Sequence, residues 1–72
     1  MHKIEVHITE TNVVDFVNTV SKLHCRILLS NANGSYVNPK SMLGSVYAAN
    51  NFDTQYCVSD EDISKHISKF IL

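Results

Sequence analysis

The sequence has few of the residues that mark a specialised fold. Among its 72 residues there is no tryptophan, one proline, two glycines and two cysteines. Two thiols are too few for a disulfide scaffold, so we expect Cys25 and Cys57 to be small buried or half-buried side chains in a reducing compartment. The four histidines have no spacing typical of a zinc site. We therefore predict no metal site and no cofactor.

Charge and long apolar runs are also scarce. The net charge is −1, and the six lysines and arginines are scattered from Lys3 to Lys69. Without a basic patch, we expect no nucleic-acid partner. The longest apolar run is far shorter than the ~20 residues that span a bilayer, and the N-terminus has no apolar signal-peptide core. We therefore expect a cytoplasmic protein without a membrane partner. The apolar content of 44% indicates one globular domain over residues 1–72.

The first half of the chain predicts three strands and a helix. Apolar and polar residues alternate from Lys3 to Ile8, which is typical of a half-buried strand. Apolar residues at helical spacing then predict a helix over about residues 11–22. A second strand is expected from His24 to Ser30 and a third over Ser35–Val37. Between them, Asn33-Gly34 is a strong hairpin signal, because both residue types tolerate positive φ.

The second half predicts two helices and a strand. Asn38-Pro39 is expected to open a short helix over residues 40–47. Alternation from Phe52 to Val58 predicts the fourth strand. Ser59 and the acids after it favour a last helix. Its buried stripe would contain Ile63, Ile67, Phe70 and Ile71. The order β-α-β-β-α-β-α predicts an α+β fold, a four-stranded antiparallel sheet with three helices on one face.

One stretch resembles a known family. Residues 33–44 read Asn-Gly-Ser-Tyr-Val-Asn-Pro-Lys-Ser-Met-Leu-Gly. They are similar to the stretch N-G-x-x-V-N-x-K-S-(I/M/L)-(M/L)-G that is characteristic of the phosphocarrier protein HPr family. The helix from Val13 to Leu23 resembles that family more weakly. The resemblance implies an HPr-like open-faced β-sandwich.

The same resemblance shows what is missing. Members of the family carry a Gly-x-His-x-Arg-Pro motif before the first helix, and its histidine accepts a phosphoryl group. Here that place holds Thr9-Glu10-Thr11-Asn12-Val13. Glu10 would repel a phosphate, and no arginine is present to pair with one. We therefore expect no enzymatic activity and no catalytic residues.

A second family feature is retained. Ser41 matches the serine that a dedicated kinase phosphorylates in some relatives, which makes it the candidate phosphorylation site. The alternative is that Ser41 only caps or borders the short helix. The resemblance also implies partner contacts from this helix. The candidate partner-binding residues are Lys40, Met42, Leu43, Val46 and Tyr47. A two-turn helix must bury some of them, so we expect Leu43 and Tyr47 to point inward and Met42 and Val46 outward.

These observations favour a non-catalytic, protein-binding regulatory module controlled through Ser41. The resemblance links it to bacterial sugar phosphotransferase or carbon-status signalling. It would bind a phosphotransferase component, a serine kinase or a transcriptional regulator. One alternative is a phosphocarrier that uses an unusual histidine, His7 or His24. Another is a structural or vestigial domain, and a homodimer stays open because a small core with exposed strand edges gains from association.

Overall fold

Strands and helices alternate along the chain in the order β-α-β-β-α-β, as the computed structural model of residues 1–72 shows. The elements are β1 (His2–Val6), α1 (Val13–Ser21), β2 (Ile27–Ser30), β3 (Tyr36–Val37), α2 (Met42–Asn51) and β4 (Gln55–Ser59). A 3₁₀ turn (Ser68–Phe70) precedes the last two residues. The α+β class and the four strands are thereby confirmed. Neither α-helix has the length and apolar character needed to cross a membrane.

The four strands form one antiparallel sheet in the order β1-β4-β2-β3. β4 is central, and its Cys57 lies opposite Ile4 of β1 and Leu29 of β2. Because side chains alternate along a strand, this row faces the helices and the rows on either side of it face away. We call the side of the sheet without helices the open face. Its side chains are Lys3, Glu5, Leu28, Ser30, Tyr36, Tyr56 and Val58.

The core lies between the inner face of the sheet and the two helices. α1 contributes its predicted apolar stripe, in which Phe16 and Val20 are fully buried. Phe16 meets Phe70 edge to face, with 5.2 Å between ring centroids. This contact joins α1 to the end of the chain. The buried apolar residues are Val6, Ile8, Val13, Phe16, Val17, Val20, Ile27, Leu29, Ala48, Phe52, Cys57, Ile63, Ile67 and Phe70.

The predicted third α-helix is not borne out. Ser59 is the last residue of β4, and its hydroxyl donates to the Glu61 carbonyl instead of capping a helix. One helical turn forms after Ile63 and is not continued. The chain then runs along the edge of β1, where the His7 N–H donates to the Phe70 carbonyl at 2.8 Å. The apolar residues of the expected stripe are buried except for Ile71, but pairing with β1 replaces helical hydrogen bonding.

Two boundaries differ from the sequence predictions for local reasons. The hairpin turn spans residues 31–34, because the Gly34 N–H donates to the Asn31 carbonyl. Gly34 is the last residue of this turn and the only residue of the hairpin with positive φ, at +89°. This is the three-residue loop in which glycine takes the left-handed position. The second helix begins only at Met42, because residues 38–41 form a separate turn in which the Asn38 carbonyl accepts from the Ser41 N–H. The helix then extends to Asn51.

Candidate protein-docking site

Ser41 caps the N-terminus of α2. Its backbone is extended, and its Oγ accepts a hydrogen bond from the Gly44 N–H at 3.3 Å. A serine in this position satisfies one of the N–H groups that have no partner within a helix. Ser41 therefore lies one residue before the first turn rather than within it. The capping role that the sequence allowed is what the structure shows, and the hydroxyl is half-buried.

Small residues form the inward side of α2. Ser45 and Ala48 are fully buried, and the Ser45 hydroxyl donates to the Pro39 carbonyl at 2.9 Å. Gly44 lies so close to β3 that a Cβ atom built on it would be 3.0 Å from the Asn38 carbonyl oxygen. A helix held this near to the sheet has no room for large side chains on that side.

The large apolar side chains of α2 point away from the core. Leu43 is 85% exposed, Tyr47 56% and Met42 39%, whereas Val46 packs against the core. The expectation that Leu43 and Tyr47 point inward and Val46 outward is therefore wrong, and only Met42 lies as predicted. Gly44, Ser45 and Ala48 occupy the inward positions because only small residues fit there. We call Met42, Leu43 and Tyr47 the α2 patch.

Tyr47, the aromatic member of the α2 patch, is held by its neighbours despite its exposure. The Tyr47 ring packs edge to face on Phe52, with 6.0 Å between centroids, and Phe52 is buried. The carbonyl of Tyr47 accepts from the Asn51 side chain at 2.8 Å, which supports the last turn of the helix. Side chains fixed in this way lose little conformational freedom when a partner covers them.

Lys40 binds within the protein. Its Nζ donates to the carbonyls of Leu23 at 2.7 Å and Cys25 at 3.2 Å. These carbonyls follow the end of α1, where a cation is favourable. The ammonium thus joins the segment after α1 to the start of α2. Lys40 was expected to contact a partner, and residues so far apart in the chain carry no local pattern that predicts the observed contact.

The segment of chain that contains the α2 patch is almost uncharged. The chain has six basic and seven acidic side chains, and Lys40 is the only one of them between Ile27 and Phe52. We call residues 27–52 the neutral segment. Depletion of charge together with exposed tyrosine and methionine is typical of the centre of a protein interface. This charge distribution is visible in the sequence alone, and it is a signal for this surface that does not depend on the fold.

His7 and His24 lie in two surface grooves that differ in charge. His7 is exposed at the end of β1, in a groove whose lining includes Glu5, Glu10 and Asp53 and no lysine or arginine. Carboxylates around this imidazole would repel a phosphate. His24 is exposed in a groove with Arg26, but Lys40 in that groove is bound to backbone carbonyls.

The loop before α1 is closed by hydrogen bonds among its own residues. Thr9 accepts from the N–H groups of Thr11, Asn12 and Val13, through its hydroxyl or its carbonyl. Asn12 in turn accepts from the Thr9 N–H at 2.7 Å. Hydrogen bonds within this turn thus occupy the N–H groups of Thr11, Asn12 and Val13, whereas those of Val14 and Asp15 in the first turn of α1 have no partner.

The two cysteines are free and differ in environment. Cys57 is fully buried on β4, and burial raises the pKa of its thiol to about 12, with a smaller contribution from Cys25. Its thiol is therefore protonated and unreactive at neutral pH. Cys25 is half-buried in the segment held by Lys40. No group of three or more histidine, cysteine, aspartate or glutamate side chains is arranged to hold a metal ion.

Comparison with known proteins finds no matching family model, no matching curated protein and no matching solved structure.

Proposed function

We propose that this protein is a non-catalytic, HPr-like regulatory module that binds a partner protein through the α2 patch. The partner contacts an apolar, uncharged surface and therefore presents an apolar pocket of its own. The observation that carries the proposal is the exposure of Leu43 and Tyr47 on a helix whose opposite side is packed against the sheet.

Burial energetics support this assignment. Covering a leucine and a tyrosine that are more than half exposed contributes roughly 1–2 kcal/mol each at 25 cal/mol per Å². Tyrosine is also among the residues that dominate binding energies at interfaces. Because the neutral segment carries one charge and that charge is bound internally, a partner would desolvate no free ion there.

We further propose that phosphorylation of Ser41 controls this binding. A phosphate would lie at the positive end of the α2 dipole, which tolerates the added negative charge. It would also place the first negative charge in the neutral segment, next to Met42. The modified surface would then repel an apolar partner and favour one that carries arginine.

The link to phosphotransferase or carbon-status signalling is part of this proposal. The strand and helix order as far as β4 and the open face agree with what the HPr resemblance implies. The stretch from Asn33 to Gly44 supports the same link. The missing third helix and the different loop at Thr9–Asn12 are departures from the family pattern.

A cross-linking experiment tests the docking surface. A photoreactive residue at position 43 identifies the partner, and the binding of that purified partner is then measured by calorimetry. We expect Leu43→Ser and Tyr47→Ser each to weaken binding about tenfold or more. Val14→Ser is the matched control, because Val14 is 54% exposed on α1, away from the patch. Equal binding by the Leu43 variant and the control would refute the proposed surface.

Intact mass spectrometry tests the modification. One sample is incubated with an HPr serine kinase and ATP, another with the general phosphotransferase enzyme and phosphoenolpyruvate. We expect one phosphate in the kinase sample only, absent from Ser41→Ala. An acid-labile phosphate in the second sample would instead support the phosphocarrier alternative.

Two variants separate the charge of the phosphate from the capping role of the serine. Asparagine and aspartate both cap helices about as well as serine. Ser41→Asp should therefore change partner binding while Ser41→Asn leaves both binding and stability close to those of the native protein. If the two variants bind the partner equally, charge at this position does not regulate binding.

A further inference from the structure

The open face is a second exposed surface, separate from α2. Its side chains form two rows across the sheet. One row consists of Leu28, Val58 and Lys3, and the other of Tyr36, Ser30, Tyr56 and Glu5. Between the two rows lies the inward-facing row that contains Cys57. The open face is thus a largely apolar and aromatic plane that no element of this chain covers.

The charges on the open face are arranged asymmetrically. Lys3 and Glu5 are the only charged side chains that the four strands place there, and both are exposed on the edge strand β1. They are about 7 Å apart along the strand. The Lys3 Nζ leans over the Tyr56 ring at 4.5 Å from its centroid, which keeps the ammonium close to the plane. The backbone of β1 therefore places Lys3 and Glu5 on either side of the row through Ile4, and in the single copy the Lys3 ammonium leans towards the row that contains Glu5.

We propose that a second copy of this chain covers the open face in a symmetric, face-to-face dimer. The two-fold axis lies between the sheets, runs across the strands and passes at the level of Ile4 and Cys57. This rotation keeps β1 over β1 and reverses its direction, so that the Lys3 position of each copy lies over the Glu5 position of the other. The exposed Lys3 side chain leaves the Tyr56 ring to pair there. The dimer forms two equivalent ion pairs.

The other face-to-face arrangement leaves the charges unpaired. A two-fold axis parallel to the strands would put β1 over β3, where Lys3 and Glu5 meet no opposite charge. In the proposed arrangement the apolar groups also meet, since Val58 of one copy comes over Tyr56 of the other. The sheets would pack about 10 Å apart, as in a β-sandwich. Charge complementarity thus favours one of the two symmetric dimers.

The size of the open face predicts weak association. The strands β1 to β4 contain five, four, two and five residues, which at about 4.8 Å between strands and about 3.4 Å along each strand give a plane of roughly 260 Å² per copy. Two such planes bury less than the roughly 1,200 Å² of a standard stable interface. We therefore expect weak, reversible association that becomes tighter at low ionic strength, because the ion pairs lie at the rim.

A charge-reversal experiment on the whole protein tests this dimer by sedimentation equilibrium. Lys3→Glu puts two carboxylates on each open face, and Glu5→Lys puts two ammonium groups there. We expect each variant alone to dimerise at least about tenfold more weakly than the native chain. An equimolar mixture of the two should dimerise again, because every acidic position then meets a basic one. Circular dichroism checks that both variants fold, as expected for exposed positions.

Two results would overturn the proposal. One is a native chain that stays monomeric at about 1 mM, which would leave the face to another partner or to solvent. The other is a native dimer together with a mixture that stays monomeric, which would place the dimer contact elsewhere. Leu43→Ser should dimerise as the native chain does. A loss of dimer in that variant would move the contact to the α2 patch and would also count against the open face.

Discussion

Replacing Gln55 with leucine is expected to lower the free energy of unfolding by about 3 kcal/mol. The Gln55 Oε1 accepts from the Ile8 N–H at 2.5 Å, and its Nε2 donates to the carbonyls of Ile8 at 3.0 Å and Ala48 at 3.3 Å. Gln55 and Ile8 are both buried, so water does not replace these bonds. The Ala48 carbonyl keeps a second donor in the Phe52 N–H. Leucine therefore leaves two buried backbone groups of Ile8 without partners.

The magnitude follows from these two groups. Each buried, unpaired N–H or carbonyl costs about 1–3 kcal/mol, and the apolar surface of a buried leucine offsets roughly 1–2 kcal/mol of the sum. A chain of this length has a total stability of only about 4–11 kcal/mol. Urea unfolding followed by far-UV circular dichroism measures the change. A Gln55→Leu variant within about 0.5 kcal/mol of the native protein would refute the role given to this amide.

Gln55→Glu gives a pH test of the same contact. A protonated carboxyl can accept from the Ile8 N–H and donate to the Ile8 carbonyl, whereas a carboxylate would face carbonyl oxygens. Folding therefore raises the pKa of this glutamate above its unfolded value of about 4.3. Its stabilising contribution is complete below that value and is lost as the pH rises through the folded pKa. The free energy of unfolding of the variant, measured relative to that of the native protein, should therefore be lower at about pH 7 than at about pH 4. The same difference in free energy of unfolding at both pH values would contradict this.

Three further outcomes are expected. Gly44→Ala should lower the free energy of unfolding by about 1–2 kcal/mol, because the alanine Cβ would crowd the Asn38 carbonyl. Alanine has the better helix propensity, so at an unobstructed helix position the free energy of unfolding would rise instead. Such a rise would contradict the close packing of α2. At about pH 8 a thiol reagent should modify only Cys25 in the native protein and both cysteines in urea, because burial raises the pKa of Cys57 to about 12. Fast modification of both thiols in the native protein would contradict this. Lys40→Met should lower the free energy of unfolding by about 1–2 kcal/mol, because it removes the hydrogen bonds to the Leu23 and Cys25 carbonyls. It should also speed the thiol modification of Cys25. An unchanged rate of modification would show that the ammonium does not hold the segment from Leu23 to Cys25.

Local patterns predicted the elements whose burial follows a simple period. The apolar stripe of α1 is buried as predicted, and the alternating residues of β1 and β4 divide between the core and the open face. These predictions succeed because helices and strands place side chains with different periods, 3.6 and 2.0. The hairpin at Gly34 was found for a similar reason, since only glycine readily adopts the positive φ observed there.

The orientation of α2 could not be predicted in the same way. Apolar residues occur all around this helix, so hydrophobicity does not distinguish its two sides. Steric fit makes the choice, because Gly44, Ser45 and Ala48 allow the helix to approach β3 and β2, and Leu43 and Tyr47 are left outside. The candidate docking surface is therefore a result of packing.

The sequence by itself determined the α+β class, the four strands, the two α-helices and the uncharged segment between Ile27 and Phe52. The tertiary structure alone decided which side of α2 faces solvent and where the Lys40 ammonium binds. It also decided that the last apolar stripe follows the edge of β1 instead of forming a third helix. The physical reason is that periodicity acts over a few residues, whereas the Lys40 contacts and the pairing with β1 join residues 15 to 65 positions apart, and no local pattern encodes them.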